Sequence, residues 1–151
     1  DELQDFNCCQ KTWEDGPYGR EKDFYGTSNK NRNAMTTDGT ARIMEEIMQN
    51  ISFNEKNINL KNSLFREIKE QSQDKDTNNQ INGFLGEGLP QKTPFWSKAG
   101  LMSEARHDAA WWINKNQSKT LLVVFTEGKE LANNNKFLPE FSKAIYEFIH
   151  P

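Results

Sequence analysis

Residues 96–128 read WSKAGLMSEARHDAAWWINKNQSKTLLVVFTEG, and the rest of the chain takes its arrangement from them. Three strand-like runs are found here: residues 93–101, 107–113 and 120–126. Residues 114–119 between the last two are polar, as a hairpin loop requires. Consecutive strands joined by short polar loops predict an antiparallel meander. Leu121, Leu122, Val123, Val124 and Phe125 form the most apolar run in the chain and do not alternate. A strand apolar on both sides is covered on both faces, which places this one centrally in a sheet with helices packed against it.

The first run carries Lys98-Ala99-Gly100. A strand lysine is a point charge that can hold a substrate carboxylate. Glycine lets a ligand come close to the backbone, and an edge-facing N–H just after it can donate to an oxyanion. Alone, the tripeptide is better read as a solvated strand lysine. Arg106, His107 and Asp108 form a second polar cluster close behind. Read functionally, Arg106 is a carboxylate partner and His107 an acid–base group near neutral pH. Read structurally, Arg106 and Asp108 are hydrogen-bonded at a strand start and His107 faces partly to solvent. Neighbours on a strand point to opposite faces, so the three cannot converge on one ligand.

Taken in order, these pieces resemble a known family. Lys98-Ala99-Gly100 is similar to the Lys-Thr/Ser-Gly strand motif of the β-lactamase-like serine hydrolases, the class A β-lactamase and penicillin-recognising superfamily. Arg106-His107-Asp108-Ala109-Ala110 at the start of the next strand follows in the family's order. So do Val123-Val124-Phe125-Thr126-Glu127-Gly128 and an apolar C-terminal helix. Upstream, Thr36-Thr37-Asp38-Gly39-Thr40-Ala41-Arg42-Ile43-Met44 sits where the family starts a helix. The resemblance runs over about residues 13–149 and matches the C-terminal part of a family domain.

The resemblance implies an α+β fold: an antiparallel sheet of about three strands packed by a C-terminal helix, with two or so helices upstream, as part of a β-lactamase-like α/β sandwich. It implies a loop-rich segment over residues 1–35 and the family domain over residues 36–151. The implied substrate is a small acyl compound bearing a carboxylate, hydrolysed through a serine acyl-enzyme without metal or cofactor. Lys98 would bind the carboxylate with Arg106 near it. Gly100 would permit close approach, and the Leu101 N–H would give one half of an oxyanion hole. Ala99 departs from the usual Thr or Ser, so a hydroxyl that helps hold the carboxylate is missing.

The family's chemistry needs Ser-x-x-Lys, which puts a nucleophile and its activating lysine on one helical face. Ser72-Gln73-Asp74-Lys75 fits that pattern, and Ser52-Phe53-Asn54 fits the family's Ser-x-Asn. Both are expected by chance in a chain this rich in Ser, Lys and Asn. They also occur in reversed order, and Ser72 lies in a wholly polar tract. No catalytic nucleophile is therefore assigned, and no Glu-x-x-Leu-Asn is present to deacylate. The chain alone is expected to be inactive, as part of a longer product. The alternative is a non-catalytic binding or assembly module that keeps the fold.

Composition narrows the remaining classes. Apolar residues make up 34%, and 9 glycines raise this to about 40%, below the usual range of roughly 45–50%. Nineteen basic and 22 acidic residues leave a formal charge of −3, with no basic excess for nucleic acid. No run reaches membrane-spanning length, and no signal-like segment is visible. Cys8 and Cys9 are adjacent and the only cysteines; two thiols alone do not make a structural zinc site.

Elsewhere, Thr37 or Asp38 is expected to cap a helix to about Gln49, with Ile43, Met44, Ile47 and Met48 as its apolar stripe. Ser52 to Glu55 shows a capping-box pattern, followed by a second stripe at Leu60, Leu64, Phe65 and Ile68. Phe137, Leu138, Phe141, Ile145, Phe148 and Ile149 give the last helix a broad apolar face for the sheet. Gly83, Gly86 and Gly88 punctuate the approach to the first strand, without the Lys-Ser/Thr of a phosphate loop. In the family, the counterpart of residues 121–125 also pairs with an N-terminal strand. That strand is expected to be missing here, leaving an edge that a second copy or an N-terminal complementing segment would cover.

Overall fold

The computed structural model describes residues 34–65, 67–68 and 80–150. Two compact units divide the chain, Asp1–Thr40 and Ala41–Pro151. In the first unit, the Thr36 hydroxyl accepts from the Gly39 N–H at 3.0 Å. Thr36, one residue earlier than expected, is thus the cap of helix α1, Thr37–Gln49. Residues 1–33 of the segment expected to be loop-rich lie outside the described residues, Cys8 and Cys9 among them, as does the tract from Ser72 to Lys75.

The second unit is built on a sheet of β1 (Phe95–Met102), β2 (Ala105–Ile113) and β3 (Lys119–Val124), antiparallel throughout and ordered β1-β2-β3. The register sets Phe95 opposite Trp112, Ala99 opposite Asp108, and Leu101 opposite Arg106. On the other side Ala110 faces Leu122 and Trp112 faces Thr120. The fold is the expected α+β meander, with one correction: among the described residues the central strand is β2, and β3 lies at an edge. Burial explains it. From Asp108 to Trp112 every β2 residue is buried, whereas β3 is half-buried along most of its length.

Alternation along the strands sorts the core into two clusters. Ala109 and Trp111 pack with Met44 of α1, joined by Trp96, Leu121 and Val123. On the opposite face Phe95, Ala110 and Trp112 pack with Leu85, Leu89 and Leu138, joined by Leu122 and Val124. So β3 is covered on both faces, as its apolar run requires.

Leu85 opens a 3₁₀ turn, Leu85–Gly88, and among the described residues the chain also forms α2 (Glu55–Leu64), α3 (Lys129–Asn133) and α4 (Phe137–Ile149), to which Leu138 belongs. The turn is seated between β1 and α4 because its glycines allow contact. A Cβ at Gly88 would run into Pro139 O and Ser142 Oγ, and one at Gly86 would meet the Phe95 ring at 2.8 Å. The side of α4 facing the body is Leu138, Ser142 and Tyr146, one turn apart. Phe141 and Phe148 of the expected broad face are exposed, Phe148 by 82%.

Helix α2 also departs from expectation. Its cap is Asn54, whose side chain accepts from the Asn57 N–H, and the Ser52 hydroxyl instead donates to Glu46. Leu60 is exposed, and Ile68 lies beyond the helix, where its N–H donates to Phe95 O. The β2–β3 loop is organised by buried Asn114, which accepts from the Trp112 indole at 2.8 Å and donates to Ser118 and Thr120. No helix among the described residues is long and apolar enough to cross a membrane.

Candidate active-site cleft

Backbone parity decides what the edge of β1 offers. Pro94 O accepts from the Ile113 N–H, while the Phe95 N–H and C=O turn outward to Glu67 and Ile68. In an antiparallel pair this alternates residue by residue. Residues 96, 98, 100 and 102 therefore bond to β2, and Ser97, Ala99 and Leu101 direct their N–H and C=O outward. Beyond the contact at Phe95, no strand among the described residues covers that edge. The Leu101 N–H thus points out of the sheet, the direction that the expected oxyanion contact requires. Ala99 O, on the same edge, accepts from Lys98 Nζ at 2.8 Å.

An open cleft of about 690 Å³ runs along this edge. Lys98, Ala99, Gly100, Leu101 and Arg106 line one side, with Asn82, Phe84, Glu87 and Asn135 among the residues facing them. All five substrate-binding residues expected from the sequence therefore meet in one cavity. Gly100 is open: a Cβ there would meet nothing within 4 Å.

Arg106 lies at the cleft's inner wall and is 7% exposed. Its Nε donates to Ala132 O at 3.0 Å and an Nη donates to Gly83 O at 3.1 Å. The guanidinium stacks over Phe84, 5.1 Å from the ring centroid. A buried cation is tolerated when it finds acceptors, and here two backbone carbonyls and the face of an aromatic ring meet part of that need. Gly83 has φ +78, and a Cβ would stand 2.7 Å from the Arg106 Nη. Glu87 accepts from the Gly83 N–H, so one loop positions both a cationic and an anionic wall.

His107 lies on the other face of β2. Its Nδ1 accepts from the Thr126 N–H at 3.1 Å, and its ring rests on Phe125 at 4.7 Å. Thr126 also closes the end of the sheet: its hydroxyl accepts from the Arg106 N–H and donates to Arg106 O. Among the described residues there is no group of three or more His, Cys, Asp or Glu that could hold a metal ion.

Sequence reasoning missed the opposite wall. Asn82, Phe84, Glu87 and Asn135 come from segments with no chemical motif, brought to the cleft by tertiary packing; the glycines around them were the only local signal. It also treated Asp108 as a strand-start partner of Arg106. Asp108 is instead fully buried and accepts from the Leu85 N–H at 3.0 Å. Burial pushes its carboxyl up from 3.8 to about 7, against the opposing pull of the Leu85 N–H, the Ser97 hydroxyl, the Ala109 N–H and the Lys98 charge.

A three-stranded antiparallel sheet with α1 on one face and α4 on the other, and a Lys-x-Gly edge strand lining a cleft, defines a β-lactamase-like hydrolase domain. The model of the Beta-lactamase enzyme family matches residues 10–149, and the chain belongs to that family. No curated protein matches the sequence.

Proposed function

We propose that the cleft along β1 binds a small acyl compound bearing a carboxylate, and that this chain forms the substrate-holding wall of a serine acyl-transfer site. One observation carries the reading: Lys98, Ala99, Gly100, Leu101 and Arg106 converge on a single cavity. Lys98 is exposed at its mouth and supplies a mobile positive charge for the carboxylate. Gly100 leaves room beside the backbone for the scissile group. The outward Leu101 N–H is aimed where a carbonyl oxygen gains charge as a nucleophile attacks. The buried Arg106 adds a fixed positive potential behind the site.

In this reading Ser72-Gln73-Asp74-Lys75 is a chance match, no serine of these 151 residues is assigned as the nucleophile, and another segment supplies it. The chain alone then binds without turnover. Ala99 supports a weaker grip than a Thr or Ser would give, because its methyl offers no hydroxyl to the carboxylate. That same feature favours the second reading, a binding module that has lost the chemistry.

Two measurements test the proposal. Nitrocefin added to the 151-residue chain should give no turnover; turnover lost in Ser72→Ala would place the nucleophile at Ser72 and overturn that part. Binding of phenylacetate and of its methyl ester should then be compared in wild type and Lys98→Ala. The substitution should weaken the acid by roughly 1.5–3 kcal/mol and leave the ester nearly unchanged. Equal losses for both would remove Lys98 from the role of carboxylate anchor.

A further inference from the structure

Behind the cleft lies a buried polar tie that binding alone does not require. Leu85 is its middle link. The Leu85 N–H donates to Asp108 Oδ2 on β2 at 3.0 Å, and Leu85 O accepts from the Ser142 hydroxyl on α4 at 2.7 Å. Asp108 and Ser142 are both fully buried. Phe84, just before this link, and Glu87, two residues after it, line the cleft. Asp108 thereby holds one cleft wall to the sheet.

Its other oxygen reaches toward the second wall. Asp108 stands opposite Ala99, and Ser97 stands opposite Ala110, so Ser97 and Asp108 are diagonal neighbours on one face of the sheet. Asp108 Oδ1 and Ser97 Oγ are both buried, and neither has a hydrogen-bond partner. The hydroxyl is near enough to act on the carboxylate but not aligned with it. An unpartnered buried oxygen is costly, and two on neighbouring side chains are relieved when a single proton bridges them. Ser97 directly precedes Lys98, the start of the tripeptide on the opposite cleft wall.

We propose that Asp108 and Ser97 form a buried proton-sharing pair that positions both walls of the cleft, the Phe84–Glu87 side through Leu85 and the Lys98–Leu101 side through Ser97. With the proton present, the carboxyl donates to Ser97 Oγ and the pair is neutral. With it lost, Ser97 must turn its hydroxyl to donate to Oδ1, and a negative charge appears behind the carboxylate-binding edge. Among the described residues Lys98 on β1 is the charged group that acts on the carboxyl; Arg106 lies two residues along β2 on the same face, and Glu87 lies on the turn that Leu85 opens. Arg106 is already held by Gly83 and Ala132 and Glu87 by Gly83. Val124, opposite Asp108, and Leu122, opposite Ala110, carry no charge. Asp108 is a positioning residue here: it acts through Leu85 and Ser97.

Amide NMR of the whole chain across neutral pH tests this without any ligand. The amides of Phe84, Leu85, Ala99 and Leu101 should move along one titration curve with a midpoint near that of the Asp108 carboxyl. Asp108→Asn should abolish the curve at all four. Ser97→Ala, which keeps the carboxyl and removes its partner, should shift the midpoint upward and uncouple Ala99 and Leu101 from Leu85. A titration confined to Leu85, with Ala99 and Leu101 unmoved in wild type, would overturn the proposal. So would a Ser97→Ala midpoint equal to wild type, which keeps the idea testable even if Asp108→Asn does not fold. Phenylacetate binding is a separate arm that rests on the functional reading. Its affinity should fall about tenfold as the pair loses its proton. Absence of phenylacetate binding at every pH would sink that reading while leaving the titration as the test of the pair.

Discussion

At the scale of single residues, the buried carboxyl of Asp108 makes stability depend on pH in an unusual direction. Most paired carboxylates stabilise a fold above their ordinary range. Asp108 is pushed up to about 7 by burial, so the folded chain keeps a proton that the unfolded chain has already released. Its contribution is therefore fully present below the unfolded value and is lost as pH rises through the folded one. The loss is on the order of 4 kcal/mol between about pH 4 and pH 7. Urea midpoints should fall over that window in wild type and stay flat in Asp108→Asn; equal slopes in both would assign the pH dependence to another group. Asn114 is a second residue of this kind. It alone joins the buried Trp112 indole to Ser118 and Thr120 across the hairpin. Asn114→Ala strands the indole N–H and should cost about 2–3 kcal/mol in chemical denaturation. A loss under about 0.5 kcal/mol would show that the hairpin does not need the network.

At the scale of elements, two glycines separate packing from function. Gly88 lets the Leu85–Gly88 turn meet α4, and its Cβ would collide with Pro139 O and Ser142 Oγ. Gly88→Ala should destabilise by about 3 kcal/mol or more, because backbone cannot step aside as a flexible side chain can. Gly100 has open space around it. Gly100→Ala should leave stability unchanged or raise it by under about 1 kcal/mol, while weakening phenylacetate binding at the cleft. Thermal melts and a binding titration on both variants check the pair of expectations; a large stability loss in Gly100→Ala would make it a structural glycine. The same contrast explains what was legible beforehand. The three strands and their hairpin loops were readable because apolar runs and polar breaks are local signals. The Lys98 to Leu101 edge was readable because its motif is contiguous. The roles of Gly83 and Gly88 were not, since each depends on an atom far along the chain, Arg106 or Pro139. The sheet order misled for a related reason: an apolar run reports that β3 is covered on both faces, not how many strands it has as neighbours.

At the scale of the whole molecule, the outer side of β3 is where a partner strand is expected. The register alternates there as it does at β1. Thr120, Leu122 and Val124 pair with Trp112, Ala110 and Asp108, which leaves the N–H and C=O groups of Leu121 and Val123 directed away from β2. No strand among the described residues lies beyond them. Natural edges of this length carry charges, prolines or bulges that discourage pairing, and residues 120–125 carry none of these. The 151-residue chain is therefore expected to cover β3 with another strand, from a second copy or from a complementing N-terminal segment. Light scattering and amide exchange distinguish the outcomes. A dimer should protect Leu121 and Val123 as well as Leu122 and Val124, and protection of the first two should fade on dilution. A concentration-independent monomer that protects all four would assign the cover to residues outside the described set. A monomer that protects only Leu122 and Val124 would show that this edge is stable in the open, and would remove the physical reason for expecting a partner strand.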